Sequence, residues 1–302
     1  YAVMSILHVA HEPPKNVLIA ELYSHEEWEK TFALYEGSTE VGILIGLLLG
    51  FLMSTYGLDP TLVLLLCSGL NLVALVMSLI LVTDPLLIFE RSLVNIEKTV
   101  NFTYRGLVIA SKILDGLPLN ERLKRENLSA FSSGLVLFSL ASSILFTPLP
   151  IFFSKELVLP ASVVFAIYVL NSSGGVVGYF LVSGRSSQAE KSHINRIAIF
   201  RSMLAFLLMA VTQMPVYSVV LAAVVLILMG FAYALFLVFT LSLSMELIPA
   251  GKAGLFNVLI SIGGACGSFI GPFLAQTLGF IYIFLTAGIV FFLAYMAFKI
   301  FA

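Results

Sequence analysis

His8, His11 and Glu12 stand at i, i+3 and i+4, with Lys15 one turn further on, so the four share one side of a helix. Imidazoles and carboxylates can change charge near neutral pH, which makes His8, His11 or Glu12 a candidate protonation site. Two histidines and a glutamate at this spacing could also suggest a metal. The chain offers no second ligand cluster, so no metal site and no cofactor are expected. Glu12 and Lys15 have a plainer reading as well, a mutually neutralised pair near the mouth of a membrane span. Pro13-Pro14 between them would break or kink the helix and free carbonyls that a cavity could hydrate. Further along, Glu40 follows Glu36 by four residues and is either a solvated acid near the membrane surface or a coupling carboxylate. Asn171-Ser172-Ser173 is expected to interrupt an apolar helix and face a gap between helix bundles. Arg201 is expected to run its stem out to the aqueous surface.

The elements that must hold these residues are membrane helices. Of 302 residues, 60% are apolar and 11% charged, with a mean hydropathy of +1.05. A soluble domain usually carries about 45–50% apolar and about 25% charged residues. The two cysteines, Cys67 and Cys266, lie inside apolar runs and support no disulfide framework. A net charge of −1 without a basic domain argues against nucleic-acid binding. Nine runs are long and apolar enough to cross a bilayer: roughly 1–20, 36–57, 61–82, 131–153, 162–182, 195–213, 216–244, 254–277 and 279–300. They are too continuously apolar for barrel strands, which alternate. The expected fold is therefore an all-α polytopic membrane protein. Pro148 and Pro150 predict a broken helix near the outer end of the fourth run, a site suited to a gate.

The connections between runs alternate in character. Thirteen Lys and Arg residues, from Lys30 to Lys299, fall on one side of the membrane, and Lys155 alone falls on the other. By the positive-inside rule the first side is cytoplasmic, with the linker and the C-terminus on it. The linker, 84–128, mixes Phe89, Leu93, Ile96 and Val100 with Arg91, Lys98 and Arg105. It reads as one or two helices on the inner membrane surface, either a tether or a binding segment. Residues 1–83 then form part of one helix bundle and 129–302 a second bundle of six.

An internal repeat supports the division. Glu21-Leu22, Leu34, Gly42, Ile45-Gly46 and Leu49 recur 225 positions later as Glu246-Leu247, Leu259, Gly267, Ile270-Gly271 and Leu274. The match begins in a charged loop and enters a helix of the same orientation. Small residues run down one stripe at Ser38, Gly42, Gly46 and Gly50, and again at Gly263, Gly267, Gly271 and Ala275. That spacing lets two helix backbones approach closely, so both stripes are expected to be packing surfaces. At the same offset His8 corresponds to Tyr233, and Glu40 to Ala265, so packing does not demand an acid at 40.

Two same-handed halves joined by a long cytoplasmic linker resemble the major facilitator superfamily, whose members have two six-helix bundles. Gly267-Ser-Phe-Ile-Gly271-Pro272 looks like the family's motif C, a glycine stripe ending in Gly-Pro. The repeat-related helix keeps its glycines but has Leu47 where the proline is expected. Gly178 to Gly184-Arg185, with Arg196, is a partial match to the family's cytoplasmic motif and lacks its acid. The resemblance implies that the chain begins within the fourth helix, so that helices one to three, roughly 90–100 residues, precede Tyr1. It also implies that the fourth and tenth helices line the path, putting His8 and Tyr233 on two walls of one cavity. The implied function is a monomeric secondary active transporter in the plasma membrane. It would move a small solute by alternating access, driven by protons, and motif C inclines the direction to efflux. The alternatives are a membrane-embedded enzyme acting on lipid-linked substrates and a non-transporting relative. An enzyme would need clustered acids, His or Ser at a water interface. The outer loops are short and nearly uncharged.

Overall fold

The computed structural model describes residues 19, 23–24, 27–57, 59–81, 128–184, 191–211, 213, 218–247 and 254–301. Among these, regular structure is helical throughout, with eight long helices: α1 Trp28–Tyr56, α2 Pro60–Leu81, α3 Leu128–Phe146, α4 Ala161–Ser183, α5 Lys191–Val211, α6 Ser218–Leu247, α7 Gly254–Thr277 and α8 Phe280–Phe301. Seven are long and apolar enough to cross a membrane, and in α2 a shorter apolar stretch, Thr61–Met77, is found. The expected count of nine is therefore not reached among the described residues. The first expected span, with His8, His11 and Glu12, and the 84–128 linker lie outside them.

Local signals set the ends. Before α1, the Ser24 amide and hydroxyl both donate to the carboxylate of Glu27, the N-cap residue, at 3.3 and 2.9 Å. The helix starts eight residues earlier than the apolar run alone predicts. Gly57 closes it in the left-handed region at φ 63°, with its N–H bonded to the Met53 carbonyl. Gly279, at φ 99°, makes the sharp turn from α7 to α8. After Phe146, α3 breaks at Thr147-Pro148 and resumes as a one-turn helix, Leu149–Ile151, and a π-helical turn, Phe152–Glu156. The two prolines account for that break.

The chain divides into two compact units, residues 58–126 and the remainder. In the first, the described part is α2, whose Asp59 carboxylate accepts the Thr61 amide at 3.0 Å. Its Leu64, Leu65 and Leu72 are exposed, a surface suited to lipid. In the second unit, each helix packs on the next in the spatial order α7, α3, α8, α5, α6, α4, α1.

Lipid supplies no hydrophobic drive between helices, so close approach and interhelical hydrogen bonds hold them. A Cβ added to Gly267 would stand 2.5 Å from the Leu140 carbonyl oxygen, and at Gly271 2.6 Å from that of Ile144. Gly263 meets the Val136 carbonyl in the same way. The Ser139 hydroxyl donates to the Ile260 carbonyl at 2.7 Å along this α3–α7 seam. Between α4 and α6, Gly174 and Gly230 face the Ile227 and Asn171 carbonyls. The Ser202 hydroxyl ties α5 to the Gly288 carbonyl of α8 at 2.8 Å. Phenylalanines fill the centre, with Phe138 stacked on Phe236 at 3.4 Å between centroids. The α1 stripe differs. Gly50 lies under the Phe165 ring, but a Cβ at Gly42 or Gly46 would meet nothing within 4 Å among the described residues.

Candidate functional site

A cavity of about 420 Å³ opens among α1, α3, α4, α5 and α6. Glu40, Asn171 and Tyr233, three of the residues singled out from sequence, all line it. Three others, His8, His11 and Glu12, lie outside the described residues.

Glu40 comes from α1. Because that helix begins at Trp28, Glu40 stands twelve residues in, about 18 Å along the axis at about 1.5 Å per residue. An apolar run starting at 36 would have put Glu40 only about one turn into the helix. Glu40 accepts a hydrogen bond from the Ser172 hydroxyl of α4 at 2.6 Å. Gly175, one turn on from Ser172, leaves room for the carboxyl, since a Cβ there would touch it at 3.4 Å.

Asn171 and its neighbours do not interrupt α4, which is helical throughout Ala161–Ser183. The side chains find partners that leave the helical ladder intact. Asn171 Nδ2 donates to the Leu226 carbonyl of α6 at 2.6 Å. Ser173 turns back to the Val169 carbonyl of its own helix at 2.7 Å. Only Ser172 of the three reaches α1.

Arg201 overturns a second expectation. It does not reach the surface: its exposure is 0%. Ten residues separate it from the start of α5 at Lys191, about 15 Å of helix, which is too deep for the stem to regain water. The guanidinium instead lies over four rings, with Phe291 at 4.8 Å, Phe138 at 5.0 Å, Tyr233 at 5.4 Å and Phe146 at 5.8 Å. Its hydrogen-bond partner is the Ser142 hydroxyl at 3.0 Å, while Nε has none. Aromatic faces attract a desolvated cation, yet a charge at membrane depth costs at least about 2.5–3.5 kcal/mol on insertion scales. A charged residue inside an apolar run is the sequence signal that points to Arg201. Ser142, Ser143, Phe146, Thr147, Tyr179, Met229 and Gly230 complete the lining and carry no signal that a single sequence makes visible.

The cavity thus holds one acid and one guanidinium on different helices, each bonded to a serine hydroxyl. Such a chamber can bind a small polar solute within the membrane and can change charge during a cycle. Among the described residues no group of three or more His, Cys, Asp or Glu could hold a metal ion. Pro272 lies inside α7, away from this lining, where Gly271 packs against α3 and Pro148.

No curated protein and no solved structure matches the chain. The family model of the Major Facilitator Superfamily matches residues 1–260. Seven of its described helices are long and apolar enough to cross a membrane, and with a family match over most of its length the chain belongs to the major facilitator superfamily of membrane transporters.

Proposed function

We propose that the chain is a proton-coupled secondary active transporter that carries a small solute by alternating access, with the Glu40–Arg201 cavity as its central site. The observation that carries this reading is the carboxylate of Glu40, held midway along a membrane helix and bonded across to Ser172 on a different helix. A hydrogen bond to a carboxylate is roughly twice as strong as one between neutral partners. Deprotonated Glu40 therefore ties α1 to α4 firmly, and protonation loosens that tie. Loss and gain of one proton is in this way linked to movement of α1 against α4. His8, His11 and Glu12 are further candidates for the proton path.

The same proposal extends to setting and direction. Thirteen of the Lys and Arg residues on one side, against Lys155 on the other, support a cytoplasmic linker and C-terminus in a plasma-membrane protein. The Gly267–Pro272 stripe favours efflux, a monomer without a cofactor is part of the same proposal, and the family assignment favours transport over enzymatic chemistry. Residues 1–83 and 129–302 are proposed to contribute to two bundles, with 84–128 as their linker.

Full-length protein in proteoliposomes tests the coupling. Flux in the wild type is expected to follow an imposed pH gradient. With Glu40→Gln, exchange of solute persists while the gradient loses its effect. Gradient-driven flux that survives Glu40→Gln would overturn the assignment of Glu40.

A further inference from the structure

We infer that the solute is an organic monoanion, a carboxylate on an apolar, ring-sized body, and that Arg201 selects its charge. This rests on the transport reading above and adds a substrate class to it.

Arginine keeps its proton in proteins, so Arg201 brings a permanent positive charge to the wall of the cavity. Among the described residues no acid pairs with it. Glu40 bonds Ser172 instead, and the partners of Arg201 are one hydroxyl and four rings. The rings and the hydroxyl offset part of the cost of taking the guanidinium out of water. They leave Nε without an acceptor in a side chain that is fully buried. A buried cation that no described acid balances, at the wall of the cavity, favours a solute that completes the pair.

The number of charges narrows the solute. With Glu40 of the same chamber protonated, one guanidinium balances one negative charge, and its planar fork matches a carboxylate through two parallel hydrogen bonds. The rest of the lining joins an aromatic and apolar side, Phe146, Tyr179, Met229 and Tyr233, to the polar groups of Ser143, Thr147 and Asn171. A chamber of about 420 Å³ lies at the small end of the range that holds compact organic ligands. Of the partners of the guanidinium, Ser142, Phe146 and Tyr233 also line the chamber, so the carboxylate is taken to enter by displacing the Ser142 contact and parting those two rings.

Purified full-length protein, titrated calorimetrically with phenylbutyrate, phenylbutyramide and phenylbutylamine, tests this. The carboxylate is expected to bind at least ~10-fold more tightly than the isosteric amide, the range for a charge-assisted hydrogen bond. Arg201→Gln is expected to abolish that preference, and Arg201→Lys to retain part of it. Ser142→Asp guards against a misfolded Arg201 variant. It sets a built-in carboxylate against the guanidinium, so it should raise the unfolding temperature and remove phenylbutyrate binding. Equal binding of all three probes, binding of none, or a carboxylate preference that survives Ser142→Asp would overturn the inference. Proteoliposome flux separates this claim from the one beneath it. Arg201-dependent phenylbutyrate binding without flux above the protein-free leak would remove the transport reading and leave the anion site. Flux of the amide or amine in preference to the acid would do the reverse.

Discussion

α1 and α7 are related by the 225-residue repeat and carry glycines at matching positions, yet they pack in different ways. In α7, Gly263, Gly267 and Gly271 press against backbone carbonyls of α3. In α1, Gly42 and Gly46 have open space beside them among the described residues, and contact with α4 runs through Gly37, Gly50 and the Glu40–Ser172 hydrogen bond. Position 40 carries an acid where position 265 carries alanine. The repeat thus preserves a type of helix, and the partner helix decides its use. The α7 copy builds a rigid seam. The α1 copy brings a titratable group to a cavity.

The largest expected effect comes from breaking the rigid seam. Gly267→Ala places a methyl against the Leu140 carbonyl, which backbone cannot easily yield, and should destabilise by about 3 kcal/mol, the upper end for overpacking. Thermal unfolding in detergent reads this as a lowered Tm. Ser172→Ala, which takes the hydroxyl from Glu40, should cost about 2 kcal/mol, as for a hydrogen bond to a charged group. It should also weaken the dependence of flux on the pH gradient, whereas Gly267→Ala should leave that dependence intact in whatever protein folds. Gly46→Ala should act in the opposite sense to Gly267→Ala. With open space beside it among the described residues, the methyl gains helix propensity and should stabilise by about 0.5–1 kcal/mol. A loss at Gly46 as large as that at Gly267 would erase the distinction between the two copies.

Much of this fold is legible in the residues because a lipid-spanning segment must satisfy its own backbone, so apolar length reports helices directly. Depth is harder to read. Glu29, Lys30 and Glu36 give the start of α1 the composition of a loop, and only the Ser24–Glu27 contact reveals that the helix has already begun. That shift of two turns carries Glu40 from the membrane surface to the cavity. Arg201 eluded the reading for a related reason. Long stems usually reach water, and what prevents it here is four rings from α3, α6 and α8 with α5 behind them. No local pattern encodes that convergence. Asn171 shows the same limit from the other side, because a polar triplet that reads as a break is absorbed by carbonyls of α6 and of its own helix.

The central claim is that this cavity opens alternately to the two sides of the membrane. A single cysteine at Ser143, in a full-length protein whose other cysteines, Cys67 and Cys266 among them, are replaced by serine, reports on it directly, because Ser143 lines the cavity. In sealed vesicles of both orientations, a membrane-impermeant maleimide should label Ser143→Cys from either side, at rates that shift in opposite directions when the pH gradient is reversed. Labelling from one side alone, unchanged by the gradient, would contradict alternating access through this site.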